Sequence, residues 1–206
     1  MDHEGDEKVE YKSTIKSRPY LYKETRKAAS LVNNGLQIDD LKNESLKNNI
    51  FQVDTETRMK ELASIITVRL KELDEYLIQK IESSNIETSK MIVIYAILKN
   101  DRLFFEFMNE IYKEKILLKD LYLRDKDFNT FFQNKREQSD KVNSWSEYTF
   151  KKLKQVYIRI LFESGLIANQ KGDREIVIPI INDEVKDYIY KIGNKIYINA
   201  ILGISE

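Results

Sequence analysis

The chain has 206 residues, of which 42% are hydrophobic and 33% are charged, and its 34 basic side chains balance its 34 acidic ones. A chain of this length and apolar content can bury a sizeable core, whereas a formal net charge of zero gives no global argument for a nucleic-acid partner. The absence of cysteine excludes disulfides, thiolate nucleophiles and thiolate zinc sites.

Membrane and export signals are also missing from the sequence pattern. The longest apolar run, Met91 to Leu98, is much shorter than the roughly 20 residues that a membrane helix needs. The first ten residues are acidic and polar and contain no signal-peptide core. We therefore expect a cytoplasmic, soluble protein with no membrane partner.

The sequence pattern of the N-terminal half predicts a tail followed by short helices. Only two prolines and six glycines interrupt the chain, which favours helix throughout. Residues 1–17 have almost no apolar content and predict a mobile tail. A first helix is predicted in "PYLYKETRKAASLVNNG", with Pro19 in its first turn and Gly35 after its end. A second should cover "IDDLKNESLKN", and Asp54 or Thr55 should cap the helix in "DTETRMKELASIITVRLKEL".

The following segments complete a predicted helical N-terminal domain over residues 18–116. "EYLIQKI" continues after a bend, and "ETSKMIVIYAILKN" is apolar nearly all round, as expected of a central helix. "DRLFFEFMNEIYKEKIL" adds a phenylalanine-rich face. Charge density rises after this segment, so we place a C-terminal domain at residues 117–206.

The C-terminal domain has the chain order of a winged helix. "RDKDFNTFFQNKRE" predicts a helix with its phenylalanines facing inward. In "SWSE" the spacing of Ser144 and Glu147 matches a capping box, so a long helix should begin at about Trp145 or Ser146 and end at Gly165. "LIANQKGDREIVIPII" predicts two short strands around a charged turn, and two short helices follow. The predicted fold class is mainly α, with a winged-helix-like C-terminal domain that carries one short β-hairpin.

The long helix has lysines close to its start, although cations are favoured near the other end of a helix dipole. These lysines form either a solvated face or a surface for an external anion. In a winged helix the long helix enters the major groove and the hairpin tip touches the backbone. The candidate contacts are Thr149, Lys151, Lys152 and Gln155 on the helix, with Lys171 and Arg174 on the hairpin.

A second basic cluster covers the end of the tail and the first helix, where Glu24 is the only acidic residue between positions 11 and 27. A flexible basic arm can follow phosphates or lie in a minor groove, and it can equally pair with acidic patches on its own protein. The candidate contacts here are Lys16, Arg18, Lys23, Arg26 and Lys27.

Catalysis has little support in the sequence. His3 is the only histidine and lies in the predicted tail. The pairs Asp39/Asp40 and Asp125/Asp127 fit helix capping better than metal binding, and no glycine-rich phosphate loop occurs. We expect a protein that is not an enzyme, with no catalytic residues, no metal and no cofactor.

Four stretches resemble, in order, the landmarks of the BrxA family of bacteriophage exclusion (BREX) defence systems. They are "PYLYKETRKAASLVNNG", "DTETRMKELASIITVRLKEL", "SWSEYTFKKLKQVYIRILFESGLI" and "VKDYIYKIGNKIYINAIL". The resemblance runs from about residue 18 to residue 202. Its most specific part is Trp145-Ser-Glu-x-Thr149, followed by an apolar stripe and Glu163-Ser-Gly165.

The resemblance implies a small, non-enzymatic, mainly helical cytoplasmic component encoded with a methyltransferase, an ATPase and a phosphatase-like protein. It also implies a NusB-like helical fold and a role in binding double-stranded DNA. Our leading hypothesis is therefore a DNA-binding accessory protein with other BREX proteins as further partners. The alternatives are an adaptor between BREX proteins and an RNA-binding NusB-like protein. The choice of contact residues comes from charge and chain order alone.

Overall fold

The computed structural model describes residues 10–17 and 19–205. Helices make up 69% of the chain, which confirms the mainly helical prediction. The α-helices are α1 (Tyr22–Asn33), α2 (Leu41–Asn48), α3 (Glu56–Leu70), α4 (Glu75–Ser83), α5 (Ile86–Asn100), α6 (Arg102–Phe107), α7 (Lys113–Leu117), α8 (Asp125–Gln138), α9 (Asp140–Asn143), α10 (Glu147–Ser164), α11 (Asp183–Lys191) and α12 (Lys195–Leu202). The remaining elements are 3-10 turns at Thr14–Ser17 and Ile38–Asp40, a π-helical stretch at Met108–Tyr112, and the strands β1 (Tyr122–Leu123) and β2 (Arg174–Glu175).

The long helix α10 begins close to the predicted position, but with a different cap. Ser146 has the extended backbone that an N-cap needs, and its hydroxyl accepts the Thr149 N–H at 3.3 Å. Ser144 instead donates its hydroxyl to the Lys141 carbonyl at 2.7 Å. The predicted capping box of Ser144 and Glu147 is therefore wrong by two residues, because Ser144 still belongs to the end of α9.

The first helix begins later than predicted. Pro19 does not lie in its first turn, since α1 starts at Tyr22 and its N-cap residue, Leu21, has a left-handed backbone with φ of 53°. Arg69 holds the preceding turn by donating to the carbonyls of Tyr20 and Pro19 at 2.5 and 2.7 Å. This tertiary hydrogen bonding replaces the helical turn that the proline favours.

The strands confirm an antiparallel pair and correct its partners. β1 pairs with β2, so that Tyr122 faces Glu175 and Leu123 faces Arg174. A single antiparallel bridge joins Ile167 to Ile176 and closes the predicted charged turn. The sequence predicts strand on both sides of that turn but none before α8, because a two-residue strand is too short to show an alternating pattern.

One apolar core extends across both predicted domains. Every residue of Met91–Leu98 in α5 is buried, which confirms the predicted central helix. The Phe107 ring stacks on Phe128 with centroids 4.8 Å apart and tilts against Tyr157 at 5.4 Å. The Tyr112 hydroxyl donates to two carbonyls of the segment after α10. The predicted domain boundary near residue 117 stays a prediction, and the segments on its two sides share this core.

The end of the predicted tail is packed against the molecule. Tyr11 and Ile15 are buried, and the 3-10 turn that contains Ile15 packs against α10. The Tyr11 hydroxyl donates to Glu106 at 2.8 Å, and the Arg102 guanidinium lies 3.9 Å from the Tyr11 ring centroid. Residues 1–9 of the predicted tail lie outside the described residues. Two side chains thus anchor a segment whose overall composition is polar.

Candidate nucleic-acid interface

The outer face of α10 forms a continuous exposed stripe. Its inner side buries an apolar row that includes Phe150, Leu153 and Tyr157. The outward side chains recur every three or four residues, which is the spacing of one helix face. This α10 stripe consists of Tyr148, Lys151, Gln155, Arg159 and Phe162, all of which are exposed.

The three lysines near the start of α10 have different surroundings. Lys151 is exposed, and the Lys152 ammonium lies 5.5 Å from the centroid of the Tyr148 ring. Neither forms an ion pair among the described residues. Lys154 differs, because its ammonium lies 3.0 Å from Asp125 on α8. Lys151 and Lys152 are therefore the lysines of this group that are available to an external anion.

Two predicted contact residues lie in the interior. Thr149 is 7% exposed, and its hydroxyl lies 3.2 Å from that of Ser146 at the helix cap. Arg174 is 6% exposed, and its guanidinium forms an ion pair with Asp125 at 2.9 Å and donates to the Gln170 carbonyl at 3.0 Å. Both side chains face protein groups, and the Arg174 contacts hold the turn after α10 against α8.

Asp125 forms ion pairs with both Lys154 and Arg174. The hydrogen bond from Lys154 is the largest effect on the pKa of this carboxyl and holds it below its ordinary value; burial opposes this, and the hydrogen bond from Arg174 supports it. Its partner Lys154 also lies 5.9 Å from the centroid of the Phe128 ring. The carboxylate therefore stays charged at neutral pH and retains both cations.

The N-terminal basic cluster is divided between exposed and engaged side chains. Lys23 and Lys27 on α1 are exposed, and Lys16 is half-buried on the turn that packs against α10. Arg26 donates to the Glu82 carbonyl at 3.1 Å. Arg18 lies outside the described residues. At the hairpin tip, Lys171 is exposed in the turn that closes after α10.

Lys23, one of the predicted contacts, borders a cleft together with a residue of α10 that is not among those contacts. A cleft of about 460 Å³ is lined by Lys23 of α1 and Arg159 of α10, together with Arg58 of α3 and Lys90 of α5. Arg159 follows Lys151 and Gln155 at helical spacing, so its place on the α10 stripe could be found from the sequence. Arg58 and Lys90 have no such local signal, because only tertiary packing brings their helices to α1 and α10.

The described residues show neither a metal-binding cluster nor a membrane helix. No group of three or more His, Asp or Glu side chains among them is placed to hold a metal ion. Within the same part of the chain, no helix has both the length and the apolar composition that crossing a bilayer requires.

Comparisons with known proteins agree on one family. The family model BrxA matches residues 9–193. The "BREX protein BrxA" of Bacillus cereus is 54% identical over 193 residues, which are 94% of this chain and 96% of that protein. The crystal structure of an uncharacterized protein from Magnetospirillum magneticum superimposes with a TM-score of 0.81 at 22% identity, and the match covers 95% of this chain and 100% of that one. At this identity the superposition shows a shared fold only.

Proposed function

Because the chain belongs to the BrxA family of BREX phage-defence proteins, we propose that it is a non-enzymatic accessory protein that binds duplex DNA. The observation that carries the proposal is the α10 stripe, in which Lys151, Gln155 and Arg159 are exposed on one helix face. The three side chains offer two cations, of which Arg159 also contacts Glu163 at 2.6 Å, and an amide that can reach phosphates or base edges. Arg159, at the far end of the stripe, borders the same cleft as the exposed Lys23 of α1.

The dimensions of the α10 stripe suit a major groove. Lys151 and Arg159 are eight residues apart, which corresponds to about 12 Å along a helix. The major groove of B-DNA is about 12 Å wide. A helix laid in or across the groove could therefore place Lys151 and Arg159 toward different phosphates, with Gln155 between them.

The order of elements around α10 supports a winged-helix-like arrangement. β1 precedes α8, α10 follows, and the chain then turns so that Ile176 bridges Ile167 while β2 pairs with β1. In this arrangement the exposed Lys171 lies at the tip that would follow the backbone beside the groove. We exclude Thr149 and Arg174 from the proposed interface because both are buried.

A salt series with three nucleic acids tests the proposal. The purified protein is titrated against labelled duplex DNA, single-stranded DNA and RNA of the same sequence, with fluorescence anisotropy as the readout. Duplex binding should weaken as salt rises, with a logarithmic slope of about 0.9 for each phosphate contact. Absence of binding at low salt would contradict the proposal, and binding confined to RNA would favour the NusB-like alternative.

An adaptor function is the second candidate, and an apolar surface favours it. Leu118 and Ile180 are each 76% exposed, and Leu121, Tyr122 and Ile178 are exposed as well. The Leu121 carbonyl accepts the Ile176 N–H, so the two segments that carry these side chains are adjacent. Exposed apolar patches of this kind mark protein-binding surfaces.

The adaptor function predicts a different mutational result. Replacing Leu118 and Ile180 by Asp should abolish co-purification with the other BREX proteins while duplex affinity stays unchanged. Unchanged co-purification of this variant would count against an adaptor role for the patch.

A further inference from the structure

Basic side chains from four helices converge on the cleft between α1 and α10. Lys23, Arg58, Lys90 and Arg159 line it, each from a different helix. Such convergence requires the tertiary fold, because the four positions are spread over more than a hundred residues of sequence. Like charges brought together in a concave site raise the local potential and attract an anion.

The acidic side chains of the cleft leave a surplus of positive charge. Glu163 lies 2.6 Å from Arg159, Glu61 lies 2.6 Å from Arg58, and Glu24 is the other carboxylate in the lining. No ion pair with a carboxylate of the described residues engages Lys23 or Lys90. These two ammonium groups are the ones that a bound anion would neutralise.

The first turn of α1 adds backbone donors to the same cleft. Leu21, the N-cap residue, provides no side-chain hydrogen bond to the helix. The N–H groups of Tyr22, Lys23 and Glu24 consequently have no acceptor among the described residues. Unpaired N–H groups at a helix start favour an anion, and here they supplement the convergent cations.

The walls of the cleft are held in place by hydrogen bonds. The Tyr20 hydroxyl donates to the Lys90 carbonyl at 2.8 Å and so ties the turn before α1 to α5. Arg69 fixes the same turn from α3 through the Pro19 and Tyr20 carbonyls. The Tyr22 hydroxyl, also on a lining residue, is buried without a hydrogen-bond partner among the described residues. A site that is already ordered binds its ligand with a smaller entropy loss.

We propose that this cleft binds a phosphomonoester, either the terminal phosphate of a nucleic-acid strand or a free mononucleotide. Its volume of about 460 Å³ is that of a small-ligand pocket, which a phosphate with its sugar can enter and a duplex cannot. A phosphomonoester carries a charge of about −1.5 to −2 at neutral pH, so it gains more from the surplus cations than a backbone phosphodiester does. The site goes beyond duplex binding along α10 and does not depend on it.

Inorganic phosphate provides the first test. It is titrated into the isotope-labelled protein at constant ionic strength, with chloride as the balancing anion, and amide resonances are followed by NMR. The Tyr22, Lys23 and Glu24 amides should shift saturably, with a dissociation constant on the order of 1 mM. No saturable shift, or a shift confined to other parts of the chain, would overturn the proposal.

Charge variants assign the effect to the cleft. The double variant Lys23→Ala, Lys90→Ala should bind phosphate about tenfold more weakly or worse, since two charge-assisted contacts are lost. The matched control is Lys42→Ala, Lys47→Ala, which removes two exposed lysines of α2 and should bind as the wild type does. Equal phosphate affinity in the two double variants would refute the site.

Two ligand comparisons distinguish the terminal phosphate of a strand from a free mononucleotide. Deoxyadenosine 5′-monophosphate is compared with deoxyadenosine, and a 5′-phosphorylated duplex with its 5′-hydroxyl counterpart. Tighter binding of the phosphorylated duplex would identify the terminal phosphate of a strand as the ligand. Selective binding of the nucleotide, with equal affinity for both duplexes, would identify a free mononucleotide as the ligand. If the phosphate changes neither comparison, the proposal is wrong.

Discussion

The Lys135 ammonium lies 2.7 Å from the Glu106 carboxylate, and the lysine side chain is only 4% exposed. Arg102 donates to the same carboxylate at 2.7 Å, and the Tyr11 hydroxyl donates at 2.8 Å. Glu110 adds a second partner for Lys135 at 2.5 Å. One carboxylate thus joins the N-terminal segment, α6 and α8 in an ionic cluster that no sequence pattern indicates.

Lys135→Met should destabilise the protein by about 2 kcal/mol at neutral pH. Removing one partner of a buried ion pair destabilises a protein more than this when the other charge is left without a partner. Here the cost is smaller, because Arg102 and Tyr11 still contact Glu106. The matched control is Lys126→Met on the exposed side of α8, which should change stability by less than about 0.5 kcal/mol. Denaturant unfolding measures both values, and equal midpoints would contradict the prediction.

The cost of Lys135→Met should depend on pH. Burial opposes ionisation of Glu106, but the hydrogen bonds from Lys135, Arg102 and Tyr11 outweigh it and hold its pKa below the ordinary value. A lowered folded-state pKa contributes stability that is present above the unfolded value of about 4.3 and is lost as pH falls through the folded value. The difference between wild type and variant should therefore shrink below about pH 4.3 and stay constant from pH 5 to 8.

Tyr11 should titrate far above an exposed tyrosine. Burial, and after it the hydrogen bond to the Glu106 carboxylate, raises its pKa to about 12. A raised tyrosine pKa gives stability that is complete below the ordinary value of about 10 and is lost as pH rises toward the folded value. In a titration of tyrosinate absorbance, Tyr11→Phe should remove a step near pH 12. A step near 10 for Tyr11 would show that residues 10–17 are not packed.

Local signals in the sequence predicted much of the helical framework. Thr55 caps α3 as predicted by accepting the Arg58 N–H, three residues away, so the whole interaction lies within a short segment of sequence. The apolar run in α5 likewise indicated a buried helix, because a helix that is apolar on all sides has no polar face for contact with solvent.

The sequence could not predict contacts between distant segments. Asp125, the partner of Arg174, lies 49 residues earlier in the chain, so Arg174 looked like any other charge in a turn. The same holds for β1, which pairs only with a strand beyond α10. The cleft between α1 and α10 needed the fold as well, since Lys23 and Arg159 are joined by no periodicity.

Arg174→Ala should destabilise the fold by about 2–3 kcal/mol. The substitution leaves Asp125 with Lys154 alone and removes the donors to the Gln170 and Leu123 carbonyls. Thermal unfolding measures the loss, and Lys171→Ala at the exposed tip of the same turn is the control, expected within about 0.5 kcal/mol of wild type. The folded Arg174→Ala protein should bind duplex DNA with wild-type affinity. A loss of duplex affinity without a loss of stability would show that Arg174 contacts DNA.

The double variant Lys151→Glu, Lys152→Glu tests the α10 stripe directly. It should weaken duplex binding and flatten the salt dependence, because two phosphate contacts are lost and two repulsions are added. If both lysines contact phosphates, the logarithmic salt slope should fall by about 1.8. Folding should hardly change, since Lys151 is exposed, Lys152 is half-buried and neither belongs to the apolar row of α10. Acidic residues near a helix start are even favoured by the helix dipole.

Lys42→Glu, Lys47→Glu provides the same change of net charge on α2, where both lysines are exposed. A general electrostatic effect would weaken duplex binding equally in the two double variants, because each lowers the net charge by the same amount. A site on α10 would weaken it only in the Lys151, Lys152 variant. Wild-type affinity in that variant would show that the start of α10 is a solvated face, and the exposed α1 residues Lys23 and Lys27 would become the next positions to change.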